Sequence, residues 1–442
     1  MLDAILPIGR SRPRAVEPDD IPDDDLGAPD EHPTPQFGVE QGVYTCSWPD
    51  PIGISLEFDL VRSERDGDVT AEVAARVTTP GLARLVHSGT RTTLTGSRAR
   101  SELAGHLEKR SRGLKVEWPD LVEAAAVYVI ARHRQGDPAQ LLRDVPQPLD
   151  AGWLLPPLVL SRQPSIIHGD GGTGKSYIAL AAALAIQTGR ADLLGIAPVA
   201  QKTCAYLDWE FDGWEHRGRA QRLLGDDIPG LVYVRCVGPI RDQLDRLRRI
   251  FRDNAVGFAV VDSVAPACGG EPESAEVALG FFEAIRRLGV GSLCIAHTTK
   301  SGDDERPFGS TFWHNMARVT WLAKKQQETS ASSFTVGLFN KKSNTGPLAA
   351  PLAYEIDFAA DRTVLRRRDV RDVPELAPQV SLAYRIQHAL RGGPRTYAEL
   401  AEELDAKADS IRRACDRGEG KAFTKVSSPD GIYRVALLAV ER

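Results

Sequence analysis

The stretch GDGGTGKS, residues 169–176, constrains the fold more than any other part of the chain. It fits the spacing G-x-x-x-x-G-K-[ST]. An apolar run, 165–168, precedes it, and a helix-like run, 175–188, follows it. Glycines in such a loop let backbone N–H groups turn inward around phosphate oxygens. Gly169, Asp170, Gly171, Gly172, Thr173 and Gly174 form the cradle, Lys175 reaches the β and γ phosphates, and the Ser176 hydroxyl ligates Mg²⁺. A chance match in a chain of this composition is roughly 1–2 %, so a plain glycine loop is a poor alternative. The ligands expected here are ATP and Mg²⁺.

The sequence around the loop alternates between short apolar runs and helical ones. Strands are expected at 165–168, 203–209, 231–236, 258–262 and 292–297, with helices near 175–188, 214–224, 242–251 and 274–288. That alternation specifies a parallel sheet covered on both faces, an α/β class. After His297 the strand-like runs 318–322, 333–339, 352–356 and 363–366 follow with little helix. A second motif is VGFAVVDSVAP. Four apolar residues lead to Asp262 at a strand end, where an aspartate holds the Mg²⁺ shell. Ser263 follows it, so the water-activating acid must come from elsewhere. The strand after the loop helix ends CAYLDWEFD, and parallel strands present their C-terminal ends on one edge. Glu210 is therefore expected near the γ-phosphate. Asp208 and Asp212 are its rivals, and an acid there can instead cap the next helix.

Four regions are expected. Residues 1–35 are rich in proline and acid and read as a disordered tail, a solvated one rather than a DNA mimic. Residues 36–150 read as a small α+β accessory domain, with alternating Ile54–Leu56–Phe58–Leu60 and Val69–Ala71–Val73–Ala75–Val77 forming a hairpin and helices near 99–109 and 120–134. Residues 151–372 hold the phosphate loop. Residues 373–442 read as three helices and a hairpin, the elements of a winged helix. The formal net charge of −5 over 442 residues argues against nucleic-acid binding by bulk charge. The six scattered cysteines include no C-x-x-C pair, which fits a reducing compartment. No apolar run near the loop is long enough to span a bilayer, and a cytoplasmic protein is expected.

Together GDGGTGKS, YLDWE, VVDS and IAHTTK resemble the RecA-like ATPases, and within them the hexameric replicative helicases of the RepA and DnaB kind, from plasmids and phages. The resemblance covers roughly residues 155–368. It implies a homo-oligomeric ring, hexameric in that family's manner and acting on single-stranded DNA, with Glu210 as the catalytic acid and His297 as a polar sensor at a strand end. A β-rich extension after the core also suits this class, whereas partition-type ATPases have a lysine where Asp170 stands. FNKKSNTGP resembles a segment that lends cations to a neighbouring subunit's nucleotide. Lys342 takes the lysine position there, with Lys341 as its alternative. Asn344 stands where the family has arginine. The loops that would face nucleic acid are 266–276 and 300–310. The first has no basic residue, and the second sets Lys300 and Arg306 against Asp303, Asp304 and Glu305. In the C-terminal region Arg412 and Arg413 mark a recognition helix diluted by Asp409 and Asp416, a unit that binds either DNA or protein.

Overall fold

The computed structural model describes residues 34–438 except 41, 80–82, 112–113, 138, 148–151, 226–227, 299–305, 328–330, 371–372, 374–375, 377–380 and 428–430. Residues 1–33 of the expected tail, and Lys300, lie outside the described residues. The chain divides into two compact units, residues 1–145 and 146–442.

In the first unit β1 (Gln36–Glu40), β2 (Val43–Trp48), β3 (Ile54–Ser63), β4 (Val69–Val77) and β5 (Arg84–Thr93) form an antiparallel sheet in chain order. The alternation in β3 and β4 puts Ile54, Leu56, Phe58, Val69, Val73 and Ala75 on one buried face. Helices α1 (Ser97–Arg110) and α2 (Trp118–Gln135) cover that face with Leu103, Leu107, Trp118, Leu121 and Ala125. Pro119 sits in the first turn of α2, where its missing N–H leaves no helical bond unmade. Arg100 of α1 pairs with Glu123 of α2 and donates to the Leu94 carbonyl at 2.6 Å, so that arginine ties the unit together.

The second unit opens with a short hairpin, β6 (Trp153–Leu155) and β7 (Val159–Leu160). Strands and helices then alternate: β8 (Pro164–His168), α3 (Lys175–Thr188), β9 (Thr203–Asp208), α4 (Gly213–Leu224), β10 (Val232–Arg235), α5 (Leu244–Asp253), β11 (Val256–Asp262), α6 (Val264–Cys268), α7 (Ala275–Arg287), β12 (Gly291–Ala296), α8 (Thr311–Met316) and β13 (Val319–Gln326). Three more strands complete the sheet: β14 (Ser333–Ser343), β15 (Leu352–Phe358) and β16 (Thr363–Arg368). Its order is β10-β9-β11-β12-β8-β13-β14-β15-β16. The strands from β10 to β13 run parallel, and β14, β15 and β16 are antiparallel additions. The period-2 pleat sorts β11 between two cores. Phe258 and Val260 join α3 on one face, and Ala259 and Val261 join α5 and α7 on the other. Helix α3 is apolar around most of its surface, and residues 178–186 are buried without exception.

The chain ends in α9 (Leu382–Ala389), α10 (Tyr397–Glu403), α11 (Ala408–Gly418) and a hairpin of β17 (Phe423–Ser427) and β18 (Tyr433–Leu437). Ile386, Leu400, Ile411, Phe423 and Val435 form its core. The start of this region belongs to the second unit's packing. Val370, Val373 and Leu376 share an apolar cluster with Leu322, Phe339 and Ala353, and Tyr384 packs against it.

Two glycines give opposite expectations. A Cβ on Gly291, at the start of β12, would lie 2.3 Å from the Leu160 carbonyl oxygen, which is backbone and cannot turn aside. Gly291→Ala is expected to cost about 1–3 kcal/mol. Gly218 lies inside α4, and a Cβ there meets nothing within 4 Å. Gly218→Ala is expected to stabilise by about 0.5–1 kcal/mol. Denaturant midpoints measured on both variants check the two signs.

Candidate functional site

Parallel strands discharge their loops at one edge of the sheet, and a cleft of about 300 Å³ lies there. The phosphate loop and the first turn of α3 form one wall. Glu210 and Phe211 enter from the turn after β9, Asp262 and Ser263 from the end of β11, and His297 from the end of β12. Arg219 of α4 and Phe334 of β14 complete the lining. β12 lies between the loop strand β8 and the Asp262 strand β11.

The loop is held by close approach. A Cβ on Gly169 would lie 2.5 Å from the Ala323 carbonyl oxygen of β13. Gly174 has φ +85°, and its Cβ would meet Phe334 at 2.9 Å. Both positions require glycine. Lys175 is buried, and its ammonium donates to the carbonyls of Gly169 (2.9 Å) and Asp170 (2.6 Å) and to Thr173 Oγ1 (3.3 Å). Burial pulls its pKa down, while the charges of Asp262, Glu210 and Asp170 push it up. A phosphate oxygen is a stronger acceptor than those carbonyls, because the bond is charge-assisted on both sides.

Asp208 and Asp262 are register partners at the ends of β9 and β11, and both are buried. Their surroundings treat them differently. Asp208 Oδ1 accepts from the amides of Glu210 (3.0 Å) and Phe211 (3.1 Å), and Oδ2 accepts from the Tyr233 hydroxyl (2.9 Å). His216 Nε2 lies 3.2 Å from Asp208 Oδ2. Burial alone would raise the Asp208 pKa, but His216, the two amides and Tyr233 outweigh it and hold the group at about 2. Asp208 thus organises the turn that carries Glu210. Asp212 is the N-cap residue of α4, and neither it nor Asp208 is among the lining residues described.

Asp262 Oδ2 accepts from the Tyr206 hydroxyl at 2.6 Å. Burial pushes its carboxyl above the ordinary range. The Tyr206 and Ser176 hydroxyls oppose that push, and the Glu210 charge adds to it. Glu210 accepts in turn from the Ser263 hydroxyl. A buried carboxylate and a hydroxyl, with a second carboxylate close by, are the hard oxygen donors that Mg²⁺ takes, the remaining positions falling to water and phosphate. Ser176 and Asp262 therefore fit the metal expected there.

Beside the phosphate wall the cleft is aromatic. The Arg219 guanidinium lies 4.8 Å from the Phe211 ring centre and 5.1 Å from that of Tyr177, and Glu215 pairs with it at 3.2 Å. A planar cation among rings suits a flat heterocycle. The sequence reading missed Tyr206, His216, Tyr233, Arg219 and Phe334. Tyr206 had a signal, since residues two apart on a strand share a face with Asp208. Phe334 had none, because only the antiparallel extension brings it to the loop.

The remaining expected residues lie elsewhere. Lys342 Nζ donates to the carbonyls of His314 (2.9 Å), Asn315 (2.7 Å) and Ala317 (2.8 Å), so its ammonium is held within its own chain. Arg306 is exposed beside the bridge from Thr298 to Pro307. On α11 Arg412 pairs weakly with Asp416 at 3.8 Å, and Arg413 is exposed.

Residues 134–303 match the sequence model of a family described as an AAA domain. The match takes in the phosphate loop, Glu210, Asp262 and His297. A crystal structure of a KaiC-like protein from the hyperthermophilic archaeon Pyrococcus horikoshii OT3 is similar over 47% of this chain and 93% of that chain, at 14% identity and a TM-score of 0.32. No curated protein matches the chain. No helix among the described residues is long and apolar enough to cross a membrane. The second unit carries a RecA-like P-loop ATPase core.

The Asp208 network has a pH signature. Its folded pKa of about 2 lies below the unfolded value of 3.8. The unfolded chain therefore binds more protons in that window, so the contribution is complete above about pH 4 and is lost as pH falls through about 2. It amounts to about 2 kcal/mol. Asp208→Asn is expected to be less stable at neutral pH and to lose less stability on acidification. Denaturation curves from pH 6 to 2 check this, and equal acid slopes in both proteins would rule the assignment out.

Proposed function

We propose that the protein is a Mg²⁺-dependent ATPase that works in the cytoplasm as a ring of identical subunits on single-stranded DNA, a helicase or translocase of a plasmid-like or phage-like element. The observation that supports the ATPase chemistry is the convergence of Lys175, Ser176, Glu210, Asp262 and His297 on one cleft. Loop amides and Lys175 hold the phosphates. Ser176 and Asp262 would hold Mg²⁺, which when bound would supply charge neutralisation on the transferring phosphoryl group. Tyr206 orients Asp262. Glu210, fixed by Ser263 and by the Asp208-held turn, orients the attacking water and accepts its proton. His297, at the end of β12, senses the γ-phosphate and passes its state into the chain that follows.

Lys342 is the cation we assign to a neighbouring copy's nucleotide. It pairs with Thr320, which pairs with Ile166 of β8, so it lies back from the loop end of that strand. Reaching a neighbour requires it to exchange its three carbonyl bonds for a phosphate, and Lys341 is the alternative. A second reading keeps the ATPase and drops the motor: a nucleotide-gated regulator whose C-terminal winged helix docks DNA or protein. The lack of any basic residue in 266–276 favours it.

Glu210→Gln is expected to bind Mg²⁺-ATP and to turn over at least about 10²-fold more slowly. Lys175→Ala is expected to lose both binding and turnover. Nucleotide binding and phosphate release measured on each separate these roles, and a normally active Glu210→Gln would return the choice to the other acids. DNA-stimulated turnover with strand displacement supports the motor. Turnover indifferent to DNA, with no displacement, supports the regulator.

A further inference from the structure

Arg162, Lys202 and Arg318 line a broad recess of about 920 Å³ in the second unit. Each stands just before a parallel strand: Arg162 before β8, Lys202 before β9 and Arg318 before β13. The recess therefore lies where the parallel strands begin, and the ATP cleft lies where they end. Among the described residues no Asp or Glu lines it, and Arg162, Lys202 and Arg318 make no ion pair there. In a chain of net charge −5 this is a local reversal of sign. The positive charge extends behind the rim. After burial, the charge of Arg318 is the next cause that lowers the pKa of both Lys342 and Arg286.

The main chain fixes this arrangement. The Arg318 amide donates to the Pro164 carbonyl at 3.0 Å, and the Asn344 amide donates to the Arg318 carbonyl at 3.0 Å. Lys342 clamps the carbonyls of the residues just before Arg318. The Lys202 stem lies along Gly257, where any Cβ would come within 2.9 Å of it. Asn344 and Thr345 add neutral polar groups, and the Gln163 side-chain oxygen is buried on the lining without a partner.

We propose that this recess binds the phosphate backbone of a nucleic-acid strand. The recess is wide, carries its cations on three separate segments and offers polar groups between them. Grooves that track a strand by charge look like this. The assignment rests on the DNA reading above and gives it a surface that the loop 266–276 does not.

The test uses the full chain and a 5′-labelled oligothymidylate, followed by anisotropy across a salt series. Arg162→Ala, Lys202→Ala and Arg318→Ala are combined. Each phosphate contact on a single strand contributes about 0.7 to the salt slope, so the triple variant is expected to lower it by about 2 and to bind at least about tenfold more weakly. Its thermal midpoint and its DNA-independent ATP turnover are expected to match the parent. Arg162→Lys with Arg318→Lys keeps the charges and is expected to keep binding, which a merely unfolded triple variant does not mimic. An unchanged slope and affinity in the triple variant would overturn the recess while leaving the DNA reading intact. A parent chain that binds no oligothymidylate would overturn both. Turnover lost in the triple variant but restored by mixing with Glu210→Gln copies, with DNA binding unchanged, would make the surface an interface between copies and overturn the proposal.

Discussion

Two buried carboxylates side by side set the terms for the whole catalytic edge. Asp208 and Asp262 end adjacent parallel strands in register, and both are buried. Two such groups cannot both stay ionised without compensation. The fold resolves this by inequality. Asp208 collects two amides and a tyrosine hydroxyl, with His216 alongside, and stays charged as a structural anion. Asp262 receives two hydroxyls and the charge of Glu210, and its carboxyl is pushed upward. The pair is thereby divided into a group that shapes the turn and a group ready for a cation, a division of labour found wherever neighbouring titratable groups are forced apart.

This division explains why Glu210 rather than Asp208 faces the cleft. Asp208 points back into the protein and anchors the first residues of the turn. The chain after it must leave the strand with two N–H groups aimed inward, which fixes the direction in which Glu210 emerges. Ser263, the residue after Asp262, then meets Glu210. Ser263 supplies the hydroxyl that holds the acid brought in from the turn after β9.

Much of this was legible in the sequence because it is local. The loop motif, the apolar run into Asp262 and the strand–helix alternation each depend on residues close in the chain. The strand and helix runs recur in the structure with shifts at their ends, as with α1 at Ser97–Arg110 against an expected 99–109. Strands β1, β2 and β5 went unread because their mixed sequences lack a clean period of two. The network around Asp208 was not legible. It joins Tyr233 to Asp208 across 25 positions and Tyr206 to Asp262 across 56. Lys342 shows the same limit from the other side. Its motif context resembles that of a cation lent to a neighbouring subunit, and only the fold reveals the three carbonyls that hold it.

The parallel sheet also separates two kinds of anion binding. At the strand ends, loop amides and Lys175 converge on a small cleft whose other walls carry carboxylates. Such a site favours a compact polyphosphate that brings its own divalent cation. At the strand beginnings, Arg162, Lys202 and Arg318 stand apart around a space about three times larger, with no carboxylate among the described lining residues. Such a surface favours an extended anion held by diffuse charge. The strands β8 and β13 run from one site to the other, and Arg318 lies five residues before Ala323, whose carbonyl approaches Gly169 of the loop. A shift of β13 that changes the packing of Ala323 against Gly169 must also move Arg318. The shortest mechanical route between nucleotide and recess is therefore a single strand.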